Sequence, residues 1–313
     1  TRRGTGFTDR RQKDSTYTEI DMLLEQITNT CKVDMVAPLI YKPVGMYINP
    51  DNGEKILNTA SILPIHPATP VLPPNASWAE AGKGGKFPLI HRVLSQLFIN
   101  KTDGADDPEW LGAPRENIQL DILLAWIKRA YEGGLSMEPT LGQVLIVVGP
   151  KGKCKTFTNT RIIGGLLGGF ASGEKALARG DQWTGNLTKS PVLTLEDPNE
   201  DKKMHEEFVL RLKQIVANGV MQRREMYNSP HDVPWFGRIV MSLNDDAISL
   251  QAMPGLSASN KDKIIMLRCG DHPVRLSKSR IENDRRCMME LPYFGRWLLD
   301  WTPPAEAMKG DDR

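Results

Sequence analysis

The sequence predicts an α/β fold with a central parallel sheet flanked by helices. Three observations point there. Apolar runs too short for helices recur and end in glycine or polar residues: "GQVLIVVGP", "SPVLTLEDP", "FGRIVMSLNDD" and "KDKIIMLRC". Segments of helical periodicity lie between them, "RIIGGLLGGF" and "KKMHEEFVLRLKQIVANG", the latter with Gly219 as its stop. Unbroken rather than alternating hydrophobicity marks strands covered on both faces, and strand–helix alternation is the rhythm of parallel crossover units. Finally, the first apolar run opens into "GPKGKCKT", one residue away from the G-x-x-x-x-G-K-[ST] phosphate-loop pattern.

The elements follow in order. Residues 1–16 are polar and basic and read as an arm without its own core. Residues 17–27 carry apolar side chains at helical spacing. "GMYINPDNGEKILNTASILPI" reads as short strands around an Asn52-Gly53 turn, and the Pro/Gly/Ala-rich "HPATPVLPPNASWAEAGKGG" as a linker. Residues 87–99 and 118–133 are amphipathic helices, the second stopped by Gly133 and Gly134. "LPYFGRWLLDW" reads as a short aromatic helix before a polar end. The expected divisions are an N-terminal arm and accessory segment (1–85), a helical collar (86–140), a nucleotide-binding core (141–270) and a helical tail (271–313).

Composition narrows the function. The chain has 313 residues, 40% hydrophobic and 25% charged, with a net charge of +2. It can bury a sizeable core, and any nucleic-acid surface must be local. Four cysteines show neither a C-x-x-C pair nor zinc-ligand spacing, which fits free thiols in a reducing cytoplasm. No run approaches a membrane span, and no signal-peptide core is present. The chain begins at Thr1 rather than Met, as a processed product or an excised part would.

The candidate chemistry sits at the strand ends. In "GPKGKCKT" the backbone of Gly149, Pro150, Lys151, Gly152, Lys153 and Cys154 would face phosphates. Lys155 would reach the β and γ phosphates, and Thr156 would ligate Mg²⁺. Cys154 stands where the pattern has its second glycine. At negative φ this substitution costs little, and at positive φ it costs ~1 kcal/mol. Lysines on both sides of Cys154 would lower its thiol pKa. "VLTLEDP" has the form of an acidic Walker B strand: Asp197 would hold Mg²⁺ and Glu196 would polarise the attacking water, or the reverse. Asn244, at the end of "IVMSLNDD", is placed to sense the γ phosphate, although Asn244 and Asp245 could equally cap the "AISLQAM" helix.

The motifs "GPKGKCKT", "VLTLEDP" and "RIVMSLNDD", in this order, resemble those of superfamily 3 helicases, a ring-forming AAA+ branch of P-loop ATPases. "KTFTNTRIIGGLLGGFA", "ILNTASILPIHPA" and "ELPYFGRWLLDW" resemble segments of phage and plasmid primase-polymerase/helicase proteins. The likeness spans about residues 53–301. It implies an AAA+-type core with an N-terminal α/β and helical segment and a short helical tail. It implies a homo-hexameric ring that moves on single-stranded DNA using ATP and Mg²⁺, with a primase-polymerase domain or protein as a further partner. A basic finger from the neighbouring subunit falls in "ASNKDKIIMLRC", on Lys261, with Lys263 and Arg268 as rivals. The family prefers arginine at this position. The DNA hairpin falls in "VMQRREMYNSPHDVPWFG", on Arg223, Arg224, Tyr227 and His231, with Trp235 in the core. Two other classes fit parts of the pattern: a nucleotide- or DNA-binding ring whose hydrolysis is impaired by Cys154, and a small-molecule P-loop phosphotransferase.

Overall fold

The computed structural model describes residues 19–50, 52–99, 118–174, 184–185, 187–196, 215–223, 231–251 and 261–308. The chain forms two compact units, residues 1–37 with 44–59, and residues 38–43 with 60–313.

The N-terminal segment carries α1 (Glu19–Cys31), β1 (Met35–Ile40), β2 (Gly45–Ile48) and β3 (Lys55–Ile62). The strands are ordered β1-β3-β2, and β2 pairs antiparallel with β3. The expected Asn-Gly turn joins them. Gly53 takes φ +75° and donates to the Asn49 carbonyl at 2.8 Å, while the Asn52 side chain accepts from the Glu54 amide at 3.0 Å. Both residues do what a tight turn requires: one reverses the chain, the other satisfies a free N–H.

The second unit holds a five-stranded sheet. Its strands are β4 (Val144–Val148), β5 (Phe170–Ser172), β6 (Val192–Glu196), β9 (Arg238–Leu243) and β10 (Ile264–Arg268). They lie in the order β10-β4-β9-β6-β5 and every pairing is parallel. The chain leaves β4 for the far edge, returns through β6 and β9, and then crosses β4 to reach β10. Strand β4 therefore lies at the topological switch point, where open α/β sheets bind ligands beyond their carboxyl ends. Between β6 and β9 stands an antiparallel hairpin, β7 (Val220–Arg223) with β8 (His231–Pro234). Gly219, at φ +62°, ends the preceding helix by donating to the Ile215 carbonyl at 3.0 Å.

Helices α2 (Trp78–Gly84), α3 (Pro88–Leu97) and α4 (Ile118–Leu135) precede the sheet. After β4 comes α5 (Lys155–Phe157), a π-helical stretch Thr158–Ile163, and α6 (Gly164–Leu167), closed by Gly168 at φ +101°. Helix α7 (Ala247–Gln251) follows β9, and α8 (Arg280–Asp300) follows β10.

One expectation is corrected here. The tail is not a short helix: "LPYFGRWLLDW" is the second half of the 21-residue α8. Helices α3, α4 and α8 share one core with the sheet. The reason is aromatic. Trp297 of α8 lies 5.0 Å from Trp78, 6.0 Å from Phe87 and 5.3 Å from Trp301, ring centroid to centroid. Its indole N–H donates to the Ala76 carbonyl at 2.9 Å. Pro292 lies inside this helix, and its carbonyl accepts from the Ala68 amide at 2.9 Å.

A buried carboxylate joins these helices. Helix α3 begins at Phe87-Pro88 with no side-chain cap of its own. Glu290 from α8 supplies one, accepting from the Ile90 amide at 2.9 Å. Burial pushes the Glu290 carboxyl up, and its bonds to the α3 amides oppose that shift.

His91, also on α3, is buried, stacks on Trp78 at 4.4 Å and donates to the Trp78 carbonyl at 2.9 Å. Desolvation holds its pKa below the usual histidine value of 6.5. A neutral buried histidine favours the fold only while the unfolded chain is also neutral. Its contribution is therefore complete above pH 6.5 and is lost as pH falls below it. The stability difference between wild type and His91→Gln, measured by urea unfolding at pH 7.5 and 5.5, is expected to shrink at the lower pH. An unchanged difference would contradict the account of this histidine.

Candidate active site

Three adjacent strands end at one place. β4 lies between β10 and β9, and β9 lies between β4 and β6. Val148 pairs with Leu243 on one side and Arg268 on the other, and Glu196 pairs with Ser242. The loop at 149–154, Asn244 and Glu196 therefore emerge from neighbouring strands on the same edge.

The loop is tied down at its start. Gly149 donates to the Leu243 carbonyl at 3.1 Å, and Cys269 donates to the Val148 carbonyl at 2.7 Å. A Cβ on Gly149 would stand 2.5 Å from the Cβ of Cys269, so only glycine lets the loop leave between these strands. Gly152 and Cys154 both take left-handed conformations, with φ +79° and +56°.

Lys155 opens the following helix and is buried. Its ammonium donates to the Gly149 carbonyl, to the Pro150 carbonyl at 2.8 Å and to Asn244 Oδ1 at 3.4 Å. An ammonium has three protons and no acceptor. Two loop carbonyls and one strand-tip amide are thus enough to hold the charge beneath the loop. Thr156 is exposed beside it.

Asn244 faces the lysine, and α7 has a side-chain cap of its own. Asp246 provides that cap, accepting from the Ser249 amide and hydroxyl, each at 2.9 Å. These bonds hold the Asp246 carboxyl below the usual range. Glu196 is half-buried, and its amide donates to the Glu174 carboxylate at 3.2 Å. Glu174 is a second acid near this edge that sequence patterning missed, because nothing local links it to β6.

Cys154 takes the costlier of its two possible backbones, a left-handed one, at ~1 kcal/mol. Its side chain packs against the main hydrophobic core. Burial raises its thiol pKa, with Lys153 opposing. The expectation of an acidified thiol is therefore corrected: desolvation outweighs the nearby positive charge.

A cleft of about 350 Å³ opens beside the loop, on the β10 side. Phe98, Gln119, Pro150, Asp245, Arg268 and Asp271 are among its lining residues. The Gln119 side chain accepts from the Arg268 amide at 2.7 Å and so anchors the end of β10. Arg268 thus borders a cleft next to the loop of its own chain.

The remaining candidates are placed as follows. Arg223 is buried, with its guanidinium 3.5 Å from the Thr188 hydroxyl. His231 lies opposite Arg223 in the hairpin register. Trp235 is buried as expected, donating to the Ser190 carbonyl at 3.1 Å. Lys261 and Lys263 bound a single 3-10 turn before β10, and Lys263 is half-buried. Asp197, Arg224 and Tyr227 lie outside the described residues. Among the described residues no cluster of three or more His, Cys, Asp or Glu forms a metal site, and no helix is long and apolar enough to cross a membrane.

No protein-family model and no curated protein matches the chain. Solved structures do. The chain is similar to the apo NrS-1 C-terminal region (305–718), at TM-score 0.57 and 12% identity over 87% of this chain and 56% of that one. A second apo form of that region aligns at TM-score 0.54 and 13% identity, over 84% of this chain and 54% of that one. At such identities the likeness is one of fold. The chain spans a little over half the length of these structures.

Proposed function

We propose that the chain is the ATP-hydrolysing motor of a replicative DNA helicase of superfamily 3 type, acting as a ring on single-stranded DNA. The observation that carries this reading is the junction of Lys155 with Asn244 at the ends of adjacent strands, one strand away from Glu196. A surface turn rich in glycine and lysine gives no reason for its lysine to be buried against a strand-tip asparagine.

In this reading the Lys155 ammonium exchanges loop carbonyls for the β and γ phosphates when nucleotide binds. The 350 Å³ cleft beside Pro150 receives the nucleoside end. Asn244 hydrogen-bonds the γ phosphate, and Glu196 orients the attacking water. The donor set suits a hard cation: the exposed Thr156 hydroxyl and Asp197 would hold Mg²⁺, which offsets phosphate charge when bound. Lys261 or Lys263 supplies positive charge to a neighbouring subunit's site. Arg224, Tyr227 and His231, which follow β7 in the sequence, touch the strand in the channel.

The left-handed backbone of Cys154 favours one second reading, a ring that holds nucleotide but hydrolyses it slowly. The inward packing of the thiol supports the active reading, because the side chain lies against the core and not where a phosphate would approach the loop. Cys154→Gly is expected to change the hydrolysis rate by less than about threefold, since ~1 kcal/mol of backbone cost is already met within the fold. A gain of tenfold or more in a phosphate-release assay would select the second reading.

A further inference from the structure

We infer that Asn159 is a positioning residue that locks the helix after the loop to the strand tip bearing Asn244, so that Lys155 and Asn244 meet the terminal phosphate together. This rests on the nucleotide reading above and adds to it a residue that no motif marks.

Asn159 lies on the π-helical stretch four residues after Lys155 and is 1% exposed. Its side-chain amide donates to Ser242 Oγ at 2.7 Å. Ser242 is buried in β9, two residues before Asn244. In the sheet it is paired with Val147, two residues before Gly149, and with Glu196. One side chain from the helix thus reaches the level of the sheet at which loop, sensor asparagine and candidate acid all originate.

The links close a circuit. Lys155 bonds Asn244, Asn244 continues β9 from Ser242, Ser242 bonds Asn159, and Asn159 returns along the helix to Lys155. The wide turn belongs to this arrangement, with the Gly164 amide donating five residues back to the Asn159 carbonyl. Such π turns concentrate at functional sites because they re-aim a side chain that a regular helix would place elsewhere. With the bond intact, helix and strand move as one body. Without it, the lysine and the asparagine are carried by elements that can shift independently.

The experiment compares Asn159→Ala, Ser242→Ala, their double variant and Ser242→Thr in the full chain. Affinities for ADP and for a non-hydrolysable ATP analogue are measured by calorimetry, with thermal melting as a folding control. The affinity ratio of analogue to ADP reads the terminal-phosphate contacts alone. It is expected to fall about tenfold in either alanine variant, a single lost buried hydrogen bond, and no further in the double. Ser242→Thr keeps the hydroxyl and is expected to keep the ratio. Ratios unchanged in the alanine variants, effects that multiply in the double, or equal losses for both nucleotides would overturn the inference while leaving nucleotide binding in place. Wild type binding neither nucleotide would instead reject the nucleotide reading itself, and this inference with it.

Discussion

Lys155→Ala is expected to reduce ATP hydrolysis by about 100-fold or more, the scale found when a preorganised charge-stabilising donor is removed. The lysine is buried, and its three donor positions are directed at two loop carbonyls and Asn244. The phosphates would compete for those same protons, so truncation removes the group that meets the charge and leaves the loop carbonyls without their donor. The fold is expected to survive. The loop start is held by Gly149 and Cys269 through backbone bonds that do not involve the lysine. Phosphate release should therefore collapse while thermal melting shifts by only a few degrees. Lys155→Arg is also expected to be inactive, since a planar fork cannot occupy the position of a compact ammonium. Full activity in Lys155→Ala would remove the loop from the mechanism.

Trp297→Ala is expected to cost about 3–5 kcal/mol of stability, the range for truncating a large buried aromatic. The ring is 4% exposed and touches Trp78, Phe87, Phe294 and Trp301. Its loss would leave a cavity at the point where α8 joins α2 and α3, and would orphan the Ala76 carbonyl. Urea unfolding of the two chains tests this directly. A loss below 1 kcal/mol would mean that the aromatic tail is an appendage and not part of the core.

Four of the five strands, β4, β6, β9 and β10, were legible because each is an apolar run, and their tips because polar residues end those runs; β5 was not, since its three residues Phe170–Ser172 are too short and too exposed to form such a run. The Asn52-Gly53 turn was legible for a local reason as well, since both residues act within four positions. Strand order was not. That β9 inserts between β4 and β6 depends on crossover connections, and only that insertion sets Ser242 beside Glu196. Asn159 and Glu290 were missed for the same reason: each bonds to a partner far away in sequence, at Ser242 and Ile90. The burial of Arg223 was not legible either. Its charge suggested an exposed contact, but a strand places alternate residues on opposite faces, and position 223 falls on the buried one. The tail motif was legible as a pattern, while its depth in the core follows from the tertiary aromatic cluster.

The most direct measurement is phosphate release from ATP by the purified chain, with and without single-stranded DNA, with Lys155→Ala run in parallel. The account predicts Mg²⁺-dependent hydrolysis that DNA stimulates and that Lys155→Ala abolishes. Hydrolysis absent under every condition, or present at the same rate in the lysine variant, would contradict it.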